Sequence, residues 1–442
     1  MKIQLSDHFN YKKLLRFTLP SIVMMIFTSI YGVVDGFFVS NFVGKTPFAA
    51  VNFIMPFLMI LGAVGFVFGT GGSAIIAITM GTGDHEKAQR HFSLFVYLSF
   101  VCGIVIGVLG ILFIRPVAAL LGAEGVMLDN CVLYGRIILA ALPAFILQYE
   151  FQSFFITAEK PQLGLVVTVA AGVTNMVLDA LFVGVFRWGL VGAASATAFS
   201  QLVGGIVPVI YFLRPNTSLL RLTRTKYDGR ALLKACTNGS SELMSNISMS
   251  IVGMLYNVQL MKYAGEDGVA AYGVLMYVNM IFLAAFIGYS VGVAPVIGYH
   301  YGAGNHEELK GLLRKSIAVV GSFSVSMVVL GEVLAQPLSM IFVGYDQGLL
   351  ELTLRGFLVY SFSFLFAGLA IFGSSFFTAL GNGLISALIS FLRTLVFQMA
   401  AVLLLPLVWG IDGIWISIVV AELMAAVVTV LFLIGMRGKY RY

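Results

Sequence analysis

Long apolar runs recur along the whole chain, each bounded by a few turn residues or charges, and they limit the folds open to it. Crossing the hydrocarbon core of a bilayer takes about 20 mostly apolar residues in a helix. Uncharged stretches between turn signals give twelve such spans, near 14–39, 48–80, 92–114, 132–158, 162–187, 188–213, 237–262, 268–300, 313–335, 352–380, 384–409 and 413–436. They are too long and continuous for barrel strands, which alternate over about ten residues. With 60% hydrophobic and only 10% charged residues, the chain departs from soluble domains, which carry about 25% charge. The first span lies behind a basic lead, "MKIQLSDHFNYKKLLR", with no small-residue cleavage site before it, and is expected to stay in place.

Twelve spans put both termini on one side. Of the 26 Lys and Arg residues, 19 fall in the termini and the loops of that side. Lys45, Arg115, Arg187 and Lys262 fall in the opposite loops, and Arg136, Arg355 and Arg393 lie in or at the ends of spans. This positive-inside bias predicts cytoplasmic termini in a multi-pass plasma (inner) membrane protein. The sequence pI of 9.1 is therefore mostly a topology signal, and no nucleic-acid partner is expected. Cys102, Cys131 and Cys236 lack metal-like spacing and read as packing residues.

The loop after span 2 reads "GTGDHEKAQR" from Gly81, and the loop after span 8 reads "GAGNHEELKG" from Gly302, 221 residues later. The same offset takes Gly32 to Gly253, Gly44 to Gly265, Pro116 to Pro337, Thr157-Ala158 to Thr378-Ala379, and Gly189 and Gly192 to Gly410 and Gly413. A constant register across six spans is an internal repeat. Because six is even, both copies enter the membrane the same way round. The expected fold is all-α integral membrane: twelve transmembrane helices in two six-helix lobes related by a pseudo-twofold axis along the membrane normal. The boundaries are 1–213 for the N-lobe, 214–235 for a cytoplasmic linker and 236–442 for the C-lobe. Two lobes around a central cleft suit alternating access. The "HE" pairs in the repeated loops lack a second His at i+4 and read as a turn with a helix start, not a metal site. No GxxxxGK[ST] loop occurs, so no ATP-driven or enzymatic chemistry is expected of this chain.

The polar residues inside the spans carry the functional signal. A carboxylate in hydrocarbon costs at least ~2.5–3.5 kcal/mol on insertion scales, so Asp35 in "SIYGVVDGFFVS" needs a partner, a cavity or a role. It lies roughly 9 Å below the outer end of span 1. In span 5, Asn175 and Asp179 share a helical face, with Asp179 about 12 Å down. In span 6, Ala193 and Thr197 share a face, with Thr197 roughly 13 Å down. Two carboxylates, an amide oxygen, a hydroxyl and the Ala193 carbonyl would make an all-oxygen cage for a hard monovalent cation, or hold a proton. One site could thus take Na⁺ or H⁺. The offset places Tyr256, Val396, Ala400 and Ile418 where Asp35, Asn175, Asp179 and Thr197 stand, so the cage belongs to the first lobe alone.

This combination resembles the multidrug and toxic compound extrusion (MATE) transporters. It is carried by twelve spans in two parallel halves, Pro20 fifteen residues before Asp35, and Asn175-x-x-x-Asp179 followed by Ala193-x-x-x-Thr197. The resemblance implies an antiporter that exports organic, cationic and amphipathic compounds against inward H⁺ or Na⁺ flow, with no other cofactor. It assigns Asp35 and Asp179 as the ion-binding acids, with Asn175, Thr197 and the Ala193 carbonyl in support. Na⁺ would be held at Asp35, Asn175, Asp179 and Thr197, and Pro20 would sit at a bend in the first helix. Some members bind Na⁺ through acids on spans 7 and 10; here span 7 offers Glu242 and span 10 none. Glu150, flanked by Gln148 and Gln152, either faces the cleft and attracts a cationic substrate or makes a helix-pairing contact. Glu332, Arg393 and Glu422 stay unassigned: Arg393 could neutralise an acid, but its depth differs from that of Glu422 by about eight residues, ~12 Å. The alternative reading is a flippase for a lipid-linked precursor; extra spans or a strongly cationic cleft would favour it. A passive channel would need a continuous polar path. A monomer among membrane lipid is the expected state, since the second lobe supplies the partner interface.

Overall fold

The computed structural model describes residues 2–442, and every regular element among them is helical. Ten helices are long and apolar enough to cross a membrane, and a pair bent by 59°, Gly125–Ala140 with Leu142–Thr157, makes an eleventh span. One of the ten, Gly229–Gly302, runs for 74 residues and is broken at Gly265 (φ 66°, ψ −152°), a conformation open to glycine. Divided there it holds two spans, and the described residues cross twelve times, as the apolar runs predict. We number the spans α1 (Tyr11–Val43), α2 (Lys45–Gly81), α3 (His85–Leu120), α4 (the bent pair), α5 (Pro161–Val185) and α6 (Gly189–Leu213). Next come α7 and α8 (Gly229–Gly302, before and after Gly265), α9 (His306–Val343), α10 (Gln347–Ala379), α11 (Gly383–Trp409) and α12 (Ile411–Gly435).

Helices α3 and α9 extend well past their apolar stretches, because each starts in the repeated polar loop. Asp84 accepts from the Lys87 N–H at 3.0 Å and Asn305 from the Glu308 N–H at 3.1 Å, so both "HE" motifs are capped first turns. Four spans also contain π-helical segments: Val39–Val43, Val67–Gly72, Asp179–Val185 and Leu392–Val396. Apolar periodicity carries no mark of these extra residues.

The core has three parts. One cluster, from Val39 to Ala194, lies wholly in the first half, and another, from Val252 to Ile418, wholly in the second. The largest joins both halves at the end of the molecule that holds the two termini, from Leu5 and Phe9 to Tyr440 and Tyr442. There the halves meet backbone to backbone. A Cβ on Gly81 would lie 2.1 Å from the Tyr299 carbonyl oxygen, and one on Gly302 would lie 2.0 Å from the Ile78 carbonyl oxygen. The 221-residue offset carries each of these contacts onto the other. Likewise Gly71 and Val67 of α2 meet Gly239 of α7, as Gly292 and Gly288 of α8 meet Thr18 and Ser21 to Ile22 of α1. Small residues let membrane helices approach this closely and gain van der Waals contact that lipid cannot supply. At the other end Gly32, Gly253 and Gly273 have nothing within 4 Å of a built Cβ.

The N-terminal segment lies across the joined end. The Leu5 N–H donates to Glu159 Oε1 at 2.7 Å, and the Phe9 N–H to Glu308 Oε1 at 2.9 Å, so one short stretch touches the loop before α5 in one half and the first turn of α9 in the other. In the second half the half-buried Arg393 and the buried Glu422 form a two-pronged ion pair, Nε to Oε2 at 2.9 Å and Nη2 to Oε1 at 3.0 Å. The depth difference read from the sequence does not keep them apart: Arg393 lies within the π-segment Leu392–Val396, and its long side chain reaches Glu422.

Two outcomes follow. In a variant with its native cysteines replaced, Ala77→Cys beside the seam should resist thiol reagents, and adding Gly302→Val should expose it; unchanged labelling would show the close approach to be dispensable. Glu422→Gln, which leaves a half-buried guanidinium without its counter-charge, should cost up to about 3 kcal/mol of stability. Arg393→Met with Glu422→Leu should recover most of it in thermal melts.

Candidate functional site

Asp35, Asn175, Ala193 and Thr197 come from α1, α5 and α6 and converge on the Thr197 hydroxyl. Asn175 Nδ2 donates to Thr197 Oγ1 at 3.4 Å, and Thr197 Oγ1 reaches Ala193 O at 3.2 Å and Asp35 Oδ1 at 3.5 Å. These are long hydrogen bonds, the last at the limit of one, so the site is loosely cross-tied. Asp179 faces Asp35 from α5, next to the Asn175 and Thr197 contacts. It is fully buried and opens the π-helical segment Asp179–Val185, which re-aims the helix at that point. The depth argument therefore brings the right side chains together: all four polar groups share one layer of the first half.

The hydrogen-bond account of this layer does not close within the protein. Both Asp179 oxygens, Asn175 Oδ1 and the Tyr134 hydroxyl are buried without a protein partner. No lysine or arginine forms an ion pair with either acid among the described residues. Each unmet buried polar group costs about 1–3 kcal/mol, so the arrangement is poised to take up a proton or a small cation. Oxygen donors of this hardness suit Na⁺, and two facing carboxylates suit a shared proton.

Two tyrosines join the site that the spacing argument did not find. Tyr134 of α4, 1% exposed, lies beside Asp35, Asp179 and Thr197. Tyr31 lies one turn before Asp35 on the same face of α1 and points its hydroxyl toward Gln148. The i, i+4 spacing of Tyr31 and Asp35 could have revealed the second; nothing in the run "NCVLYGRIIL" marks the first.

The remaining candidates lie elsewhere. Pro20 sits within an unbroken α1, one residue before Ser21, which packs on Gly288 and Gly292 of α8. It removes one backbone hydrogen bond beside the seam. Gln148 and Gln152 share a face of α4 and are buried against α5 and α6, around a cavity of about 10 Å³ lined also by Thr168 and Gly204. Glu150 points the other way, toward Ser99 of α3. In the second half Tyr256, at the position equivalent to Asp35, hydrogen-bonds Ser417 Oγ at 2.9 Å and stacks on Tyr272 at 5.1 Å. Glu332 bonds Ser361.

The profile of the MatE family matches the chain twice, at residues 20–181 and 243–404. Among curated proteins, the multidrug export protein MepA of Staphylococcus saprophyticus is 24% identical over 436 residues, covering 97% of this chain and 94% of its own. MepA of Staphylococcus haemolyticus is 25% identical over the same coverage. Among solved structures, an outward-facing multidrug resistance MATE transporter of the MOP superfamily superposes with a TM-score of 0.93 at 23% identity, over 98% of this chain and 97% of that one. A MATE structure in the bent conformation gives 0.89 at 23% identity, over 98% and 97%. At this identity the structures speak to the fold, while the doubled profile match, falling in both copies of the repeat, speaks to descent. The chain belongs to the MatE family, the multidrug and toxic compound extrusion transporters.

Proposed function

We propose that this chain is an H⁺- or Na⁺-coupled antiporter that exports organic, cationic and amphipathic compounds by alternating access. The observation that carries the reading is the set of unmet buried oxygens around Asp35 and Asp179, with no lysine or arginine paired to either acid among the described residues. The MepA relatives are described as multidrug export proteins, which supports small organic molecules as the cargo. The N-lobe would comprise residues 1–213 and the C-lobe 236–442, joined by 214–235. The positive-inside bias supports cytoplasmic termini in the plasma membrane, so the joined end faces the cytoplasm and the cage lies nearer the outside.

The cycle follows from which state each ligand favours. A cation entering from outside is bound by the carboxylates of Asp35 and Asp179, with the Asn175 amide oxygen and the Thr197 and Tyr134 hydroxyls completing its shell. Binding cancels the repulsion between the two acids and draws α1 toward α5 and α6. The free backbone carbonyl created by Pro20 lets α1 bend where it meets α8, which lowers the affinity of the cleft for a cationic substrate and frees it outward. The unloaded protein then parts at the glycine seam, delivers the ion to the cytoplasm and accepts new substrate. Gln148 and Gln152, one shell behind Tyr31, supply amides to the polar lining of the first lobe. The protein works as a monomer in lipid, because the two lobes already provide both sides of the cleft.

The decisive experiment is dye antiport in reconstituted vesicles under a proton or a sodium gradient imposed separately. One gradient should drive efflux of a fluorescent cationic dye, and Asp35→Asn should abolish it. If neither gradient matters, or the variant transports normally, a lipid-linked precursor flippase becomes the better reading. Tyr134→Phe removes one hydroxyl, worth about 1 kcal/mol, and should weaken half-saturation by the coupling ion several-fold while leaving dye affinity unchanged.

A further inference from the structure

The cage is not the only buried acid in the first half. Glu150 is fully buried in α4, seven residues before Thr157 and so ~10 Å from the end of the helix at the joined face. Asp35, eight residues before Val43, lies ~12 Å from the opposite end. Neither Glu150 oxygen has a hydrogen-bond partner, and among the described residues no cation pairs with it. Ser99 of α3, its own hydroxyl buried and unpartnered, faces the carboxyl, and Cys102 one turn along is its titratable neighbour from that helix. From α2 it meets the π-segment Val67–Gly72, where a Cβ on Gly69 would lie 3.2 Å from Glu150 Cα. That segment presents backbone and apolar atoms with Thr70, and no titratable group.

The opposite side of the same π-segment is the seam. Gly71 abuts the Ala235 carbonyl oxygen, and the Val67 carbonyl abuts Gly239 of α7. Across the seam Cys236 of α7 approaches Cys102. A single irregular turn therefore separates Glu150 from the contact that closes the joined end. With the seam shut, an ionised carboxyl here would have one hydroxyl donor and no counter-charge, so the neutral acid is the form this packing tolerates. With the seam parted, water reaches the π-segment and can hydrate the ion.

We propose that Glu150 is a second proton-binding site, separate from the Asp35–Asp179 pair, which exchanges its proton at the joined end when the two halves part. The inference rests on the alternating-access reading above. On opening, the O–H bond of the acid breaks, its proton passes to a water molecule entering through the seam, and the carboxylate left behind favours the hydrated, open arrangement. Reclosure requires that a proton return from water to the same oxygen. The seam thus closes only over a neutral Glu150.

The test uses the full-length protein with Asp35→Asn and Asp179→Asn, in which the cage cannot titrate. An acid-minus-alkaline infrared difference spectrum should show the carbonyl stretch of a buried protonated carboxyl, and adding Glu150→Gln should remove it. Ser99→Ala and Glu150→Asp should each shift the band, and they stand in if the glutamine variant does not fold. Spin labels at Glu86→Cys and Glu307→Cys, with the native cysteines replaced, report opening of the joined end. At alkaline pH Glu150→Gln should raise the closed fraction several-fold. Other acids, among them Glu242 on α7 beside the seam, Glu159 and Glu308, are present with and without the substitution, so the comparison reads only the part of the band that Glu150→Gln removes. A band that survives Glu150→Gln, or an unaltered label distribution, would overturn the proposal. The antiporter reading fails separately, if wild-type vesicles ignore both gradients while the Glu150 band is present.

Discussion

The contact between helix backbones at the joined end governs the rest of the molecule. Apolar side chains gain nothing by leaving lipid for one another in the way they do by leaving water, so two bundles that cohere in a membrane must do so through close packing. Gly71, Gly81, Gly239, Gly288 and Gly302 supply it by bringing main chains within van der Waals reach. Such an interface is steeply short-ranged. A displacement of an ångström forfeits much of the attraction, so it is either shut or parted. The buried π-turn of α2, the proline of α1 and the N-terminal segment that touches both halves all gather around this joint.

Against that two-state joint, the charged layer in the first half can exert leverage only through groups whose cost changes with occupancy. The orphaned oxygens around Asp179 do so, because a proton or a small cation settles several of them at once. The second half carries no acid at the equivalent positions: there Tyr256 bonds Ser417, and Arg393 pairs with Glu422.

Much of this was legible in the chain. The 221-residue offset and the even number of spans made the parallel repeat legible, but which corresponding residues meet was not: Gly81 and Gly302 lie in the seam, whereas Gly32 and Gly253 meet nothing. The acid layer was legible because a membrane charge is expensive and α-helical rise converts sequence distance into depth. Tyr134 was invisible, since a tyrosine in an apolar run is ordinary and its role depends on the 59° bend that swings the first segment of α4. The π-segments were invisible for the same kind of reason: one extra residue per turn leaves apolar composition untouched. The depth rule also kept Arg393 and Glu422 apart, because it measures backbone and ignores the reach of a guanidinium.

The Arg393–Glu422 pair has a further consequence for how such a chain can change over generations. A guanidinium fixed to the protein is a cation that never leaves, so the second half carries its own counter-charge to Glu422. On the proposed coupling role of Asp35 and Asp179, substitutions that shift ion preference would fall in the first half, leaving the duplicated half, paired from within, outside that selection.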